Sequence, residues 1–129
     1  MAAIMALAFT YPKEVKSDIP ATPQLTTLQQ RQEVWITALQ WCESRGKDEA
    51  VNPKDRDGTP SYGAFQFKPS TFYNLSARYG LSTSTDYMDS KQQREIVRRM
   101  LADKSMTNDE MKNRQFPDCI QHKVGLPPR

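Results

Sequence analysis

The segment that decides the fold is WCESRGKDEAVNPKDRDGTPSYGAFQFKPSTF, which runs from Trp41 to Phe72. It places one glutamate, Glu43, at the end of an apolar helical pattern and directly before a polar stretch that is rich in turn-forming residues. A helix that only had to end here would more simply end on Gly or Asn. Glu43 is therefore either a solvated helix end or an acid placed for chemistry.

A first helix is predicted directly before this segment. Thr26-x-x-Gln29 and Thr27-x-x-Gln30 both have the spacing of a capping box, in which the two side chains satisfy backbone amides at a helix start. Apolar residues then recur at helical spacing, at Leu28, Val34, Trp35, Ala38, Leu39 and Cys42. The helix should therefore end near Glu43 and bury this stripe.

The residues from Gly46 to Gly63 are predicted to form a loop or a short, irregular β-hairpin. Turn-forming pairs occur in it at three places, Asn52-Pro53, Asp57-Gly58 and Thr59-Pro60. This composition excludes a long helix, and the Asp57-Gly58 pair favours a turn at that point.

Further helices are predicted after the loop from their start and stop signals. The first begins at Lys68 or Ser70 with Pro69 in its first turn and ends at Gly80. The next is capped by Asp89-x-x-Gln92 and the last opens at Thr107-x-x-Glu110 and ends at Gly125. Their predicted core residues are Phe72, Leu75, Tyr79, Ile96, Val97, Met100 and Leu101. The predicted fold class is mainly α, with a small irregular β-hairpin beside the end of the first helix.

Length and composition indicate the class of protein. The chain has 129 residues, of which 37% are hydrophobic and 26% charged, and its net charge is +3. These values are typical of one soluble globular domain and exclude a disordered chain or a membrane bundle. The mild positive charge favours contact with anionic surfaces such as cell-wall polymers, whereas a nucleic-acid binder would need a concentrated basic stripe.

Residues 1–24 are predicted to be a tail or linker, and residues 25–129 the folded domain. Residues 10–24 (TYPKEVKSDIPATPQ) carry three prolines and scattered charges without periodicity. Met1 to Phe9 is the only long apolar run, and it is too short to span a bilayer. It is either the remnant of a secretory signal, with Ala6-Leu7-Ala8 as the cleavage site, or a disordered start, since no Lys or Arg precedes it.

The cysteines and the single histidine do not indicate a metal site. Cys42 and Cys119 are far apart, no CxxC spacing occurs, and His122 is the only histidine. The cysteines are either two buried free thiols or a disulfide that closes a loop of roughly 75 residues and stabilises by about 4 kcal/mol at best. We expect His122 at the surface, packing roles for Met100, Met106 and Met111, and no cofactor.

The environment of Glu43 decides whether it can act as a general acid. A carboxylic acid keeps its proton near neutral pH when burial disfavours the charged form. Three aromatic side chains could supply an apolar wall, Trp41, Phe65 and Phe67. Glycoside cleavage normally uses a second carboxylate, for which Asp55 and Asp57 are candidates. The alternative for Asp57 is a purely local role in the Asp-Gly turn.

These residues together resemble the catalytic core of the lysozyme superfamily, and most closely the soluble lytic transglycosylases and goose-type lysozymes. The family pattern is a helix ending in Glu-Ser, a variable loop, then Ser-x-Gly-Leu-Met-Gln, an apolar residue and x-Pro-x-Thr. Glu43-Ser44 matches the first part, and residues 61–71 (SYGAFQFKPST) match the second, with Ala64 and Phe65 in place of Leu-Met. The resemblance is strong over Trp35 to Phe72 and weaker over residues 89–103.

The chain also departs from the family. The Ala-Tyr-Asn-Ala-Gly segment that places a tyrosine over the acid in many transglycosylases is missing, and the chain instead continues with FPDCIQHKVGLPPR. Residues 57–66 resemble the hairpin of the chicken-type lysozymes, Asp-Gly-x-x-x-Tyr-Gly-x-x-Gln. The position at which those enzymes carry their second carboxylate is Ser61 in this chain.

The resemblance implies an α+β lysozyme-like fold and a peptidoglycan lytic transglycosylase. Such an enzyme cleaves the MurNAc-GlcNAc β-1,4 bond and leaves a 1,6-anhydro product, with Glu43 as the single general acid and base. Ser61 and Gln66 would bind the N-acetyl and hydroxyl groups of the sugar, and Phe65 would replace a substrate-contacting methionine. The alternatives are a hydrolysing muramidase, with Asp57 as a possible second carboxylate, and a glycan-binding module of the same fold without turnover.

The resemblance also implies partners and a location. We expect the glycan strands of peptidoglycan as the partner, no nucleic acid, no membrane insertion of the domain, and a monomer. The expected location is extracytoplasmic, either secreted, periplasmic or bound to the wall, or in a phage particle. Because a wall enzyme is exported, and exported proteins form disulfides, we expect Cys42 and Cys119 to be joined.

Overall fold

A computed structural model describes residues 27–129. Its helices are α1 (Leu28–Ser44), α2 (Pro69–Arg78) and α3 (Ser90–Ala102), followed by the short α4 (Asn108–Glu110) and α5 (Pro117–Cys119), which continue as the π-helical segments Met111–Gln115 and Ile120–Val124. Strands β1 (Val51–Asn52) and β2 (Ser61–Tyr62) pair antiparallel, with Val51 opposite Tyr62. The predicted class, mainly α with one small hairpin, is confirmed. Within residues 27–129 no helix is long and apolar enough to cross a membrane.

The predictions for residues 1–24, and for a capping box at Thr26, lie outside the described residues. The second predicted capping box is present. The Thr27 hydroxyl accepts a hydrogen bond from the Gln30 amide at 3.1 Å, and the Gln30 side chain accepts one from the Thr27 amide at 3.3 Å. Helix α1 therefore begins where its sequence signal placed it.

Two residues with left-handed backbone conformation end α1. Arg45 has a φ of 57° and its amide donates to the Trp41 carbonyl at 2.8 Å, and Gly46 follows with a φ of 76°. Glycine adopts this conformation without steric cost, whereas arginine does so rarely. Because Arg45 and Gly46 turn the chain, Glu43 is not required for helix termination.

The buried face of α1 differs from the predicted stripe. Trp35, Ile36 and Leu39 are buried, whereas Val34 is 53% exposed and Ala38 is exposed as well. Helix α1 packs against α3 and against the segment Ile120–Val124, and these two neighbours select the face centred near Leu39. Val34 and Ala38 lie on the opposite face, because residues one turn apart share a side of the helix.

The other predicted helices and their core residues are largely confirmed. Asp89 caps α3 by accepting from the Gln92 amide at 2.8 Å, and Thr107 caps α4 through the Glu110 amide at 3.1 Å. The core of this part of the domain is formed by Phe72, Leu75, Ile96, Val97, Met100, Leu101, Met106 and Met111. Tyr79 packs against this core while partly buried, and His122 is exposed as predicted.

The C-terminal segment returns to α1. The Trp35 indole donates to the Gly125 carbonyl at 3.1 Å, and the Gln32 side chain donates to the Pro128 carbonyl at 3.0 Å. Cys42 and Cys119 form a disulfide with their Cα atoms 6.0 Å apart, which confirms the predicted pair. The first and last helical segments of the described chain are therefore neighbours, and the disulfide joins them beside Glu43.

Candidate active site

A cleft of about 470 Å³ opens at the C-terminal end of α1. One side of it is formed by the loop between β1 and β2, by β2 and by the residues up to the first turn of α2, and the opposite side by residues 113–119. Cys42 and Glu43 lie between the two sides. The predicted residues Ser61, Gln66 and Asp57 line the same cleft, so the fold brings most of the predicted site together.

Glu43 has the electrostatic environment of a general acid. Its side chain is partly buried, and burial, followed by the negative charges of Asp55 and Asp118, raises the pKa of its carboxyl to about 8. No donor among residues 27–129 hydrogen-bonds this carboxyl and offsets these effects. Glu43 is the second-to-last residue of α1, and the helix dipole disfavours a negative charge at this end of a helix. Glu43 therefore carries a proton at neutral pH.

The aromatic wall near Glu43 is not the predicted one. Trp41 is 58% exposed and its ring lies over Gly46, because a residue two positions before Glu43 points to the far side of the helix. Phe67 lines the cleft as predicted, and its ring contacts Phe116 edge to face at a centroid distance of 5.8 Å. The second aromatic residue of the cleft lining is Phe116, which lies 73 positions after Glu43 in the sequence.

Phe65, predicted to contact substrate, lies in the hydrophobic core. Its side chain is 0% exposed and it is not among the residues that line the cleft. The loop that carries it directs Ser61 and Gln66 toward the cleft and Phe65 toward the core. In this geometry Phe65 has no surface with which to contact a ligand, so its role is packing.

Ser61 and Gln66 line the cleft with fixed orientations. The Ser61 hydroxyl donates to the Asp55 carboxylate. Gln66 has a left-handed backbone, with a φ of 56°, and its amide group donates to the Gly63 carbonyl at 2.9 Å and the Ala50 carbonyl at 3.1 Å. Their predicted contacts with a sugar stay predictions. Ser61 is 0% exposed, so its hydroxyl serves Asp55, whereas the partly buried Gln66 offers polar surface to the cleft.

Asp57 has the contacts of a turn residue. One of its carboxylate oxygens accepts from the Thr59 amide at 3.0 Å and from the Thr59 hydroxyl at 2.7 Å, and the Lys68 ammonium lies 3.0 Å away. These hydrogen bonds, together with the charge of Lys68, hold the pKa of Asp57 well below its usual range. Of the two roles considered for Asp57, these contacts favour the local one.

Asp55 is the carboxylate on this side of the cleft whose charge acts most strongly on Glu43. It accepts from Ser61, and the Lys68 ammonium lies 3.8 Å from the same oxygen. Lys68 also donates to the Thr59 carbonyl at 3.1 Å, so its ammonium group contacts Asp55, Asp57 and Thr59 of the same loop. Sequence reasoning named Asp55 as a candidate but did not predict these partners.

Asp118 lies on the opposite side of the cleft and was missed by sequence reasoning. Its carboxylate is 3.5 Å from the Arg56 guanidinium, so this exposed ion pair joins the two sides. The sequence did contain a signal for Asp118. Asp118 directly precedes Cys119, and Glu43 directly follows Cys42. The disulfide between the two cysteines therefore places Asp118 near Glu43.

The described residues do not form a metal centre. Between residues 27 and 129 no group of three or more His, Cys, Asp or Glu side chains has the geometry to hold a metal ion.

Comparisons of the chain with protein families, with curated proteins and with solved structures found no match. The chemistry of the cleft is therefore inferred from its own side chains.

Proposed function

We propose that this protein is a peptidoglycan lytic transglycosylase with Glu43 as its general acid and base. The observation that carries the proposal is the partly buried Glu43 carboxyl in an open cleft, where burial and the neighbouring carboxylates raise its pKa to about 8. A general acid is most effective when its pKa lies near the working pH. The motif resemblance over Trp35 to Phe72 supplies the substrate class.

In the proposed reaction Glu43 first donates its proton to the glycosidic oxygen while the bond from that oxygen to the anomeric carbon breaks. The Glu43 carboxylate then accepts the proton of the C6 hydroxyl of the same N-acetylmuramic acid, and that oxygen bonds to the anomeric carbon. The product is a 1,6-anhydro sugar and Glu43 recovers its proton. An intramolecular nucleophile has an effective concentration of about 10⁵ M or more when well oriented, so a second catalytic carboxylate is not needed.

Three further features support a substrate in the cell wall. Gln66, partly buried and fixed by its own hydrogen bonds, places a polar group along the cleft, as recognition of N-acetyl and hydroxyl groups requires. The disulfide between Cys42 and Cys119 is typical of proteins in oxidising compartments, which favours a location outside the cytoplasm. A net charge of +3 is compatible with an anionic wall polymer.

A second candidate function is hydrolysis by the same cleft, and the position of Asp55 favours it. Asp55 lines the cleft and is the leading charge acting on Glu43. A carboxylate so placed could hold a water molecule and take its proton, as the base of an inverting glycosidase does. Asp55 and Asp57 both have hydroxyl and Lys68 partners, but Asp57 is not among the charges that raise the pKa of Glu43 and is less suited to this role.

Mass spectrometry of muropeptides released from purified peptidoglycan tests the proposal. A transglycosylase gives anhydro-muramic products, a muramidase gives reducing ends, and a glycan-binding module gives no products. The proposal requires anhydro products from the wild type and none from a folded Glu43→Gln variant. Reducing ends that disappear in Asp55→Asn would establish hydrolysis instead, and intact glycan strands would leave only binding.

A further inference from the structure

We propose that Gln93, a buried glutamine on α3, is a positioning residue for the cleft because it holds the loop Tyr62–Phe67 in the conformation that presents Gln66. The role of this loop in substrate binding rests on the proposed function, whereas the positioning itself does not. Gln93 was not identified from the sequence. In the fold it is 0% exposed.

The side-chain amide of Gln93 is fully used by backbone groups. Its oxygen accepts from the Phe65 amide at 2.7 Å, and its nitrogen donates to the Tyr62 carbonyl at 3.0 Å and to the Tyr87 carbonyl at 2.7 Å. Two of these three partners belong to the loop Tyr62–Phe67. A buried amide is tolerated only when its donors and acceptors are paired, and here both ends of it are.

The loop is shaped to receive this side chain. At Gly63 a Cβ atom would lie 2.5 Å from the Gln93 amide nitrogen, so only glycine allows the approach. Gly63 also has a φ of 85°, a conformation that glycine adopts without strain. Gly63 therefore meets two requirements at once: the close approach of the Gln93 side chain and a left-handed backbone conformation.

The conformation that Gln93 holds is the one that defines this side of the cleft. Tyr62 and Phe67 exchange backbone hydrogen bonds at 2.9 and 3.0 Å, which closes the loop, and Gln66 lies in it with a left-handed φ of 56°. A non-glycine residue persists in this conformation only where its surroundings impose it. Gln93 is buried and does not line the cleft, so it acts through Gln66 without touching a ligand.

Gln92, the residue before Gln93, provides a matched control. Gln92 lies on the same helix, and its amide nitrogen donates to the Ser76 hydroxyl at 3.0 Å and to the Ser82 carbonyl at 2.6 Å. Its partners belong to α2 and to the segment after it. Gln92→Met therefore removes side-chain hydrogen bonds of α3 without touching the loop Tyr62–Phe67, while Gln93→Met removes those that hold it.

The test compares hydrogen exchange of backbone amides in the wild type, Gln93→Met and Gln92→Met. We expect the protection of the Phe65 and Gln66 amides to fall by about tenfold or more in Gln93→Met and to stay within about twofold in Gln92→Met, after correction for global stability. Equal losses at these amides in both variants, or no loss in Gln93→Met, would overturn the proposal. If Gln93→Met does not fold, Gln93→Glu takes its place.

Gln93→Glu keeps the acceptor for the Phe65 amide and loses the donor pair. Burial and the facing Tyr62 and Tyr87 carbonyl oxygens raise the pKa of this carboxyl; its protonated form restores one donor and its ionised form restores none. We expect loop protection, corrected for intrinsic exchange, to fall as the pH rises through that pKa, whereas full wild-type protection of the ionised form would contradict the role.

The kinetic readout separates this inference from the proposed function. If the protein cleaves peptidoglycan, Gln93→Met should raise KM by about tenfold and leave the pH dependence of kcat unchanged, because Glu43 is not moved. An unchanged KM in an active variant would refute positioning. If the wild type cleaves nothing, the proposed function fails, and the exchange data alone decide the role of Gln93.

Discussion

Replacing Glu43 with glutamine should abolish activity and at the same time stabilise the protein at neutral pH. The folded protein holds the Glu43 proton more tightly than the unfolded chain does, since burial and the charges of Asp55 and Asp118 raise the pKa from 4.5 to about 8. The stability that this proton confers is complete below pH 4.5 and is lost as the pH rises toward 8. Glutamine has nearly the same shape and does not titrate.

The size of the effect follows from the pKa values. Each pH unit between 4.5 and 8 reduces the free energy of unfolding of the wild type by about 1.4 kcal/mol. By pH 7 the wild type has lost about 3 kcal/mol relative to a non-titrating side chain, and the partial burial of the glutamine amide offsets a part of this. We expect Glu43→Gln to be about 2–3 kcal/mol more stable than the wild type at pH 7 and nearly equal to it at pH 4.

Urea unfolding at pH 4 and pH 7 measures this difference directly. Glu49→Gln, which removes one carboxylate from an exposed position after α1, controls for the change in net charge. A stability difference between wild type and Glu43→Gln that is the same at both pH values would refute the buried-acid argument. Normal wall-lytic activity of the folded variant would refute the proposed role of Glu43.

Three further predictions concern the same cleft. Activity should fall as the pH rises through about 8, where Glu43 loses its proton. Asp55→Asn removes a charge that raises the pKa of Glu43, so this fall in activity should occur at lower pH in the variant. An unchanged pH–rate profile would show that Asp55 does not act on Glu43. Asp57→Asn should keep most activity in the wall-lysis assay but loosen the loop, and a loss as deep as that of Glu43→Gln would favour hydrolysis. Replacing Cys42 and Cys119 with serine should lower the free energy of unfolding by about 4 kcal/mol, and unchanged urea midpoints would contradict the stabilising role of the disulfide.

The sequence predicted the helices well because their boundaries depend on local chemistry. Thr27, Asp89 and Thr107 cap their helices through the amide three residues on, and Gly125 ends the last helical segment, as the residue types required. The buried face of α1 was predicted less well, because packing partners far along the chain select it. Ile36 and Val34 are equally apolar, and only the position of α3 and the C-terminal segment decides which is covered.

The site was predicted where it is local in sequence and missed where it depends on distant contacts. Glu43, Ser61 and Gln66 were identified from motif spacing and do line one cleft. Asp118 reaches the cleft only through the return of the C-terminal segment to α1. Gln93 was not identified, because no pattern within a helix shows that three backbone groups of other segments bond to its amide.

The return of the C-terminal segment to α1 determines when the protein can fold during synthesis. Trp35 and Gln32 are separated by 90 and 96 residues from the carbonyl groups that accept their hydrogen bonds, and Cys42 by 77 residues from its disulfide partner. Contacts between such distant residues form slowly, because a long loop must close first. A ribosome-bound chain that stops short of Cys119 lacks the segment that covers this part of α1, so these contacts can form only late in translation.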